Sequence, residues 1–314
     1  MHIAVVLDQK VPCVGYGGTE RQVDWLITEL VRRRHRVTLI ARPGSAHACC
    51  DVRHATSLTD VARALPADAD VVHSHGWHDA DPSRPSVKTF HGNLKEGEVI
   101  TGNCSFVSAR HAEIHGRRTF VYNGFPVDSY RLAARKTPSL LFLAGIARPG
   151  KGLHDAVRLA RKFDFRLDIA GGSRWKLLGR SRARRELLFL RTLSSRFTFH
   201  GIVDGEEKLS LLGQARAFLN PVRWEEPFGM APVEAMLCGT PVLATPRGAM
   251  PEVVQGDGGR LFESDAEFAA ALGAVGEIPP ARCRDYAADR FPIARTAERY
   301  LELYRRVLDG ETLP

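Results

Sequence analysis

The sequence predicts an α/β fold of two successive halves, each a parallel sheet wrapped by helices. Short apolar runs alternate with amphipathic helical patterns almost from end to end. That rhythm restarts after residue 133. The length, 314 residues, makes two domains at roughly 150 residues each.

In order, Ile3–Leu7 is an apolar run bounded by polar residues and reads as the first strand. Val23, Leu26, Ile27, Leu30 and Val31 fall on one face of a helix, and Val37–Ala41 follows as a strand. Thr19 with Gln22 has the form of a capping box, which puts the helix start there. Further strands are expected at Val71–His73, Val87–Phe90, Phe106–Ser108 and Phe120–Tyr122. Arg135–Ser139 is polar, contains Pro138 and reads as a linker. The second half should carry strands at Leu140–Ala144, Arg166–Ala170, Phe197–Phe199, Ala217–Asn220 and Pro241–Thr245. Its helices should lie near Leu153–Arg161, Lys208–Ala215 and Ala231–Cys238, and the last strong helical pattern is Ile293–Leu308. The halves read as Rossmann-like, residues 1–134 and 135–292, with a cleft between them. A C-terminal segment, 293–314, could cross back to the first half.

Composition excludes several classes. Apolar residues make up 44% and charged residues 25%, the balance of a globular chain rather than a disordered one. The longest clean apolar run, Leu140–Ala147, is far shorter than the roughly 20 residues a membrane-spanning helix needs. After Met1 the chain enters its first strand without a basic leader region, so no signal peptide is expected. Cys13, Cys49, Cys50, Cys104, Cys238 and Cys283 show no C-x-x-C spacing, which fits a reducing cytoplasm. The net charge of +8 favours anionic partners. Nucleic acid is not among those expected, because no zinc-finger, basic-zipper or RNP-like pattern is present.

Two loops carry the chemistry. Cys13–Glu20 joins the first strand to the first helix, and Gly17 and Gly18 leave backbone N–H groups open to a phosphate at the helix's positive end. A dinucleotide fingerprint is incomplete there, since Glu20 stands where the third glycine belongs. Arg42 after the second strand keeps an NADP reading only as a distant alternative. The stronger stretch runs from Asn220 to Pro241. Glu226 and Gly229 sit in a loop, a helix begins near Ala231 with Pro232 in its first turn, and Gly239 stops it. Glu234 is about one turn into that helix, on the order of 5 Å along its axis. Two carboxylates at different depths beside a helix N-terminus suit a polyhydroxylated ligand that bears a phosphate.

Glu226-Pro227-Phe228-Gly229, followed by Glu234-Ala235-Met236 and Gly239-Thr240-Pro241-Val242, resembles the signature of the family 4 glycosyltransferases of the GT-B fold. The resemblance extends to Tyr16-Gly17-Gly18-Thr19-Glu20, Thr89-Phe90-His91-Gly92, Tyr122-Asn123-Gly124-Phe125, Lys151-Gly152, Phe199–Asp204 and Met250–Val254, in the family's order. It implies a GT-B fold and retaining transfer of a hexose-type sugar from a nucleoside diphosphate sugar to an acceptor hydroxyl, with no metal required. It also implies that Glu226 contacts the transferred sugar and Glu234 the ribose. The N–H groups of Phe228, Gly229 and Met230 line the sugar and diphosphate, and Lys151 neutralises the leaving phosphate. Gly17 and Gly18 approach that phosphate, Val203 meets the base through its backbone, and His91 lies beside the sugar.

No protein nucleophile stands out, which favours same-face attack with the departing phosphate taking the acceptor's proton. Glu226 as a displacement nucleophile or a general acid remains open. One departure bears on the activity. The family's arginine after Gly145 is replaced by Ile146, and Arg148 stands two residues on. A non-catalytic sugar-nucleotide sensor or accessory subunit is therefore the alternative function.

Weaker signals are structural first. His73-Ser74-His75-Gly76-Trp77-His78 lacks a third metal ligand, and His47, Cys49, Cys50 and His54 match no common zinc spacing. Arg174–Arg191 holds seven basic residues against Glu186, with five leucines. It reads as a solvated helix packed by its leucines, and alternatively as a peripheral contact with the anionic inner face of a membrane.

Overall fold

The computed structural model describes residues 1–13, 17–76, 83–178 and 182–314, and over 182–186 the backbone only. The chain forms two units, Met1–Pro126 with Phe291–Pro314, and Val127–Arg290.

In the first unit, β1 (His2–Val6), β2 (Arg36–Ala41), β3 (Asp51–His54), β4 (Val71–Ser74), β5 (Ser86–Phe90) and β6 (Cys104–Phe106) form one sheet in the order β3-β2-β1-β4-β5-β6. Every neighbouring pair is parallel. The helices are α1 (Gly18–Arg32), α2 (Leu58–Ala64) and α3 (Ala109–Ile114). From Ile3 on, β1 is apolar because both its faces are covered. Ile3 and Val5 join the cluster that holds Val23, Leu26, Ile27 and Leu30 of α1, while Ala4 and Val6 join Val61 of α2. The C-terminal helix Ile293–Leu308 belongs to this unit and sends Ala297, Tyr300, Leu301, Tyr304 and Val307 into the α1 cluster.

The second unit has β7 (Leu140–Leu143), β8 (Leu167–Ala170), β9 (Phe197–Gly201), β10 (Ala217–Asn220), β11 (Val242–Ala244) and β12 (Gly259–Leu261), in the order β12-β11-β10-β7-β8-β9. All its pairs are parallel. Its helices are α4 (Leu153–Lys162), α5 (Arg182–Arg191), α6 (Gly205–Gln214), α7 (Met230–Leu237), α8 (Met250–Val253), α9 (Asp265–Ala274) and α10 (Pro280–Arg290). Counted within each unit, both sheets have the same order. Each therefore has a switch point, between β1 and β4 and between β7 and β10, where connections leave in opposite directions and a ligand finds an open crevice. Among the described residues no helix is long and apolar enough to cross a membrane.

The structure corrects several expectations. The first division falls at Pro126/Val127, so the polar stretch 135–139 is part of the second unit and not a linker. Arg284 holds the carbonyls of Val127 and Tyr130, and the Lys136 amine donates to Thr240 at 2.5 Å. The chain re-enters the first unit at Phe291, which accepts a hydrogen bond from Phe125 N–H at 2.9 Å. The Thr19–Gln22 capping box does not form. Gly17 is the N-cap with no side-chain bond, and Gln22 is buried and bonded both ways to the Gly124 backbone at 2.8 and 2.9 Å. Phe120–Tyr122 is not a strand. Only a bridge from Phe120 to Phe106 forms, because the neighbouring Arg118 and Thr119 N–H groups donate to the Pro314 carbonyl.

A polar seam crosses the first unit's core. Buried His73 bonds Tyr304 OH through Nδ1 at 2.7 Å and Thr89 Oγ1 through Nε2 at 2.8 Å, and Thr89 donates to Tyr300 OH. Burial pushes His73 down to about 3 and His111 down to about 4. Once unfolded, these imidazoles return to their ordinary value near 6.5. The unfolded chain then binds more protons below that value, so stability is lost as pH falls from about 6.5 toward 3. Amide exchange in β4 and β5 is therefore expected to accelerate progressively between about pH 7 and about pH 5 after correction for intrinsic rates, and His111→Gln should flatten that slope. A corrected rate that does not change with pH would mean these rings protonate within the fold.

Candidate functional site

In the second unit, two loops leave the sheet at its switch point, 144–152 after β7 and 221–229 after β10. Gly152 lets them meet. Its φ of +81° is left-handed, and a Cβ there would run into the carbonyl of Pro221. Arg223 N–H donates to the Gly150 carbonyl at 2.8 Å, and the Arg223 guanidinium pairs with Asp155 in the first turn of α4.

This brings Lys151 to Glu226. The Lys151 ammonium donates to Glu226 Oε2 at 2.7 Å, and Trp224 Nε1 donates to the same oxygen at 2.8 Å. Lys151 Nζ also lies 4.8 Å from the Trp224 ring centroid, a cation–π contact. Glu226 is 8% exposed, and its Oε1 bonds nothing among the described residues. Arg148 is exposed and its side chain lies over Gly145, whereas Ile146 is buried.

α7 begins just beyond. Gly229 is its N-cap at φ +94°, where a Cβ would strike the Met250 thioether, and Phe228 is buried behind it. Met230 opens the helix, at the positive end of its dipole. The 228–230 backbone, centred three residues on from Glu226, thus lies where a helix dipole favours negative charge. Glu234 lies in the same helix and is 2% exposed. Its Oε1 accepts from Lys208 Nζ at 2.6 Å and from Tyr130 OH at 3.1 Å. Val203 is buried between β9 and α6.

In the first unit, Gly17 and Gly18 start α1, while Val14, Gly15 and Tyr16 lie outside the described residues. His91 follows β5, and its Nε2 is 2.9 Å from Nδ1 of His75. Burial pushes His91 down to about 3 and His75 well below its ordinary value, so both rings are neutral near pH 7 and one lends the other its N–H. His75 Nε2 is buried without a partner among the described residues. Both nitrogens of His73 are engaged, and Trp77 and His78 lie outside the described residues. Arg42 pairs with Asp8 and donates to the Thr56 carbonyl, which ties the ends of β1 and β2 together rather than awaiting an NADP phosphate. The His47–His54 set does not converge, and burial pushes the Cys50 thiol up to about 12, away from a metal-binding thiolate.

Residues 137–276 match the family described as glycosyl transferases group 1. The chain is 28% identical to a glycogen synthase of Mycobacterium tuberculosis over 270 residues, 70% of this chain, and spans 63% of that relative's length. It is 29% identical over 277 residues to a phosphatidyl-myo-inositol mannosyltransferase of the same organism, covering 73% of this chain and 70% of that one. Among solved structures it resembles AviGT4, a glycosyltransferase involved in avilamycin A biosynthesis. The TM-score is 0.85 at 27% identity, over 100% of this chain and 99% of that one.

Trp224, Lys208 and Tyr130 were not singled out from the sequence. Trp224 had a signal, an indole two residues before the candidate carboxylate. Lys208 had a weaker one, since its helix presents a lysine on the buried face; Tyr130 had none. Lys208 and Glu234 form a buried ion pair, and removing one partner strands the other charge. Lys208→Met should therefore cost about 3–5 kcal/mol of unfolding free energy. The double change Lys208→Met with Glu234→Gln should recover most of that loss in urea titrations. Equal destabilisation by the single and double variants would show the pair to be uncoupled.

Proposed function

Because this chain belongs to the group 1, family 4 type of glycosyltransferases with the GT-B fold, we propose that it is a retaining enzyme that moves a hexose-type sugar from a nucleoside diphosphate sugar to an acceptor hydroxyl. The observation that carries the reading is the Lys151–Trp224–Glu226 constellation. One carboxylate oxygen is held by two donors, and the other is open beside the N-terminus of α7. A hexose hydroxyl fits that open acceptor, and a diphosphate fits the N–H groups next to it. The hexose assignment draws further support from the mannosyltransferase among the relatives.

In the proposed reaction the bond from C1 to the β-phosphate oxygen breaks, and the acceptor oxygen bonds to C1 from the same face. A departing phosphate oxygen takes the acceptor's proton. Negative charge grows on the phosphate, so Lys151, Arg148 and the N–H groups of Phe228, Gly229 and Met230 lower the barrier by stabilising it. This scheme calls on no metal. Glu226 Oε1 orients the sugar, Glu234 accepts from the ribose, and the Val203 backbone meets the base. Gly17 and Gly18 are assigned to the diphosphate, and neutral His91 to a sugar hydroxyl. A sensor without turnover is the second reading. It is favoured by buried Ile146, which puts an apolar side chain where the family carries a phosphate-binding arginine.

Nucleotide release from UDP-glucose, UDP-N-acetylglucosamine, GDP-mannose and ADP-glucose, with and without EDTA, separates the two. The proposal expects release from one donor that EDTA leaves unchanged. Tight nucleotide-sugar binding with no release in the presence of acceptor hydroxyls would favour the sensor. Glu226→Ala is expected to lose turnover far more than nucleotide affinity, and Glu234→Ala to weaken nucleotide binding. Equal loss of binding in both would contradict their separate roles. Trp224→Phe keeps the ring beneath Lys151 but removes one donor, and kcat should fall about tenfold or more with nucleotide affinity unchanged, for a charge-assisted bond worth roughly 1.5–3 kcal/mol.

A further inference from the structure

The basic segment after β8 is not a helix packed by all its leucines. Leu177 and Leu188 turn inward and line a cavity of about 590 Å³ together with Ile146 and Leu153. Their neighbours do the opposite. Trp175 is 72% exposed, Leu190 61% and Leu193 54%, and Leu178 and Leu187 also face solvent. Trp175 and Leu178 come from the turn Arg174–Leu178, and the others from α5 and the residues just after it. The Trp175 and Phe189 rings lie 5.5 Å apart, so the two elements present one apolar surface. Isolated exposed leucines are ordinary, but a tryptophan with four leucines on adjoining elements is a patch.

Its charge identifies what covers it. The segment Arg174–Arg191 contains seven basic residues and one acid, Glu186. A second copy of this chain would bring two such runs together, at a repulsive cost. A surface both anionic and apolar beneath meets the pattern. Basic side chains stay at the headgroups, leucines enter the acyl boundary, and a tryptophan sits between. We propose that Trp175, Leu178, Leu187, Leu190 and Leu193 dock the second unit onto an anionic lipid bilayer. None of these five residues is assigned to the donor, and the proposal stands whether or not the transferase reading holds.

Flotation of the full chain with vesicles tests it, and no sugar nucleotide is needed. Phosphatidylcholine vesicles containing phosphatidylglycerol should bind the protein, those of phosphatidylcholine alone much less, and about 1 M salt should release it. The triple variant Trp175→Ser, Leu190→Ser, Leu193→Ser should lower the partition coefficient about tenfold or more. Lys176→Glu with Arg191→Glu should weaken anionic binding about thirtyfold or more, from roughly 1 kcal/mol lost per basic residue. Unchanged thermal melting in these variants checks the fold. No vesicle binding, equal binding to both lipid mixtures, or full binding by the triple variant would overturn the proposal. So would a dimer that the triple variant dissolves while vesicles bind nothing.

Discussion

Lys151 reaches Glu226 only because the chain can pass Pro221 closely at Gly152. Any side chain there would meet the Pro221 carbonyl, and the left-handed backbone would cost an L-residue about 1–2 kcal/mol besides. The lysine–glycine pair is thus a single device: the glycine provides the approach and the lysine uses it. The Arg223–Gly150 backbone bond and the Arg223–Asp155 pair then lock the two loops to each other and to α4. The site is built on three elements of one unit. Their positions follow from the strand order, which parts the connections between β7 and β10.

The two carboxylates of the signature are held in different ways. Glu234 is paired with Lys208 and touched by Tyr130 in a nearly sealed setting, where the ion pair gives a fixed orientation more than stability. Glu226 is paired at a site that a ligand can reach, by a lysine that is itself partly exposed. In the proposed reaction Glu234 meets the ribose, which is the same in every donor, and a rigid acceptor suits that role. Glu226 is there proposed to meet the reacting sugar, which changes charge and shape, and an acceptor whose partners can rearrange suits that.

Much of this was legible in sequence because parallel strands covered on both faces are plain apolar runs. Ile3–Leu7 and Leu140–Ala144 stood out for that reason, and Ile293–Leu308 did so through its helical period. What escaped obeyed other forces. β3 is polar and largely exposed, so hydrophobicity gives no sign of it. The Gln22 side chain was read as a local cap but spends both its groups on Gly124, far along the chain. Residues 135–139 look like a linker by composition, yet they lie inside the second unit, where Lys136 donates to Thr240. In the candidate site, motif spacing pointed to Glu226, Glu234 and Lys151 but not to what holds them. Trp224, Lys208 and Tyr130 act through contacts made only when distant segments fold together.

The shared oxygen of Glu226 has a consequence for the proposed reaction. With Lys151 bound to Glu226, the two charges cancel, so attraction for an intact diphosphate must come chiefly from the α7 N-terminus and Arg148. As the sugar–phosphate bond breaks, charge accumulates on the phosphate, and the balance for Lys151 shifts away from the carboxylate. That interaction strengthens toward the transition state, and such interactions accelerate a chemical step rather than only tightening binding. The shift would ordinarily be opposed, because a carboxylate as buried as Glu226 is costly to leave without a partner. Trp224 lessens the opposition. Its indole N–H can stay on Oε2 as the lysine shifts toward the phosphate, so the carboxylate keeps one hydrogen bond although it gives up its counter-charge.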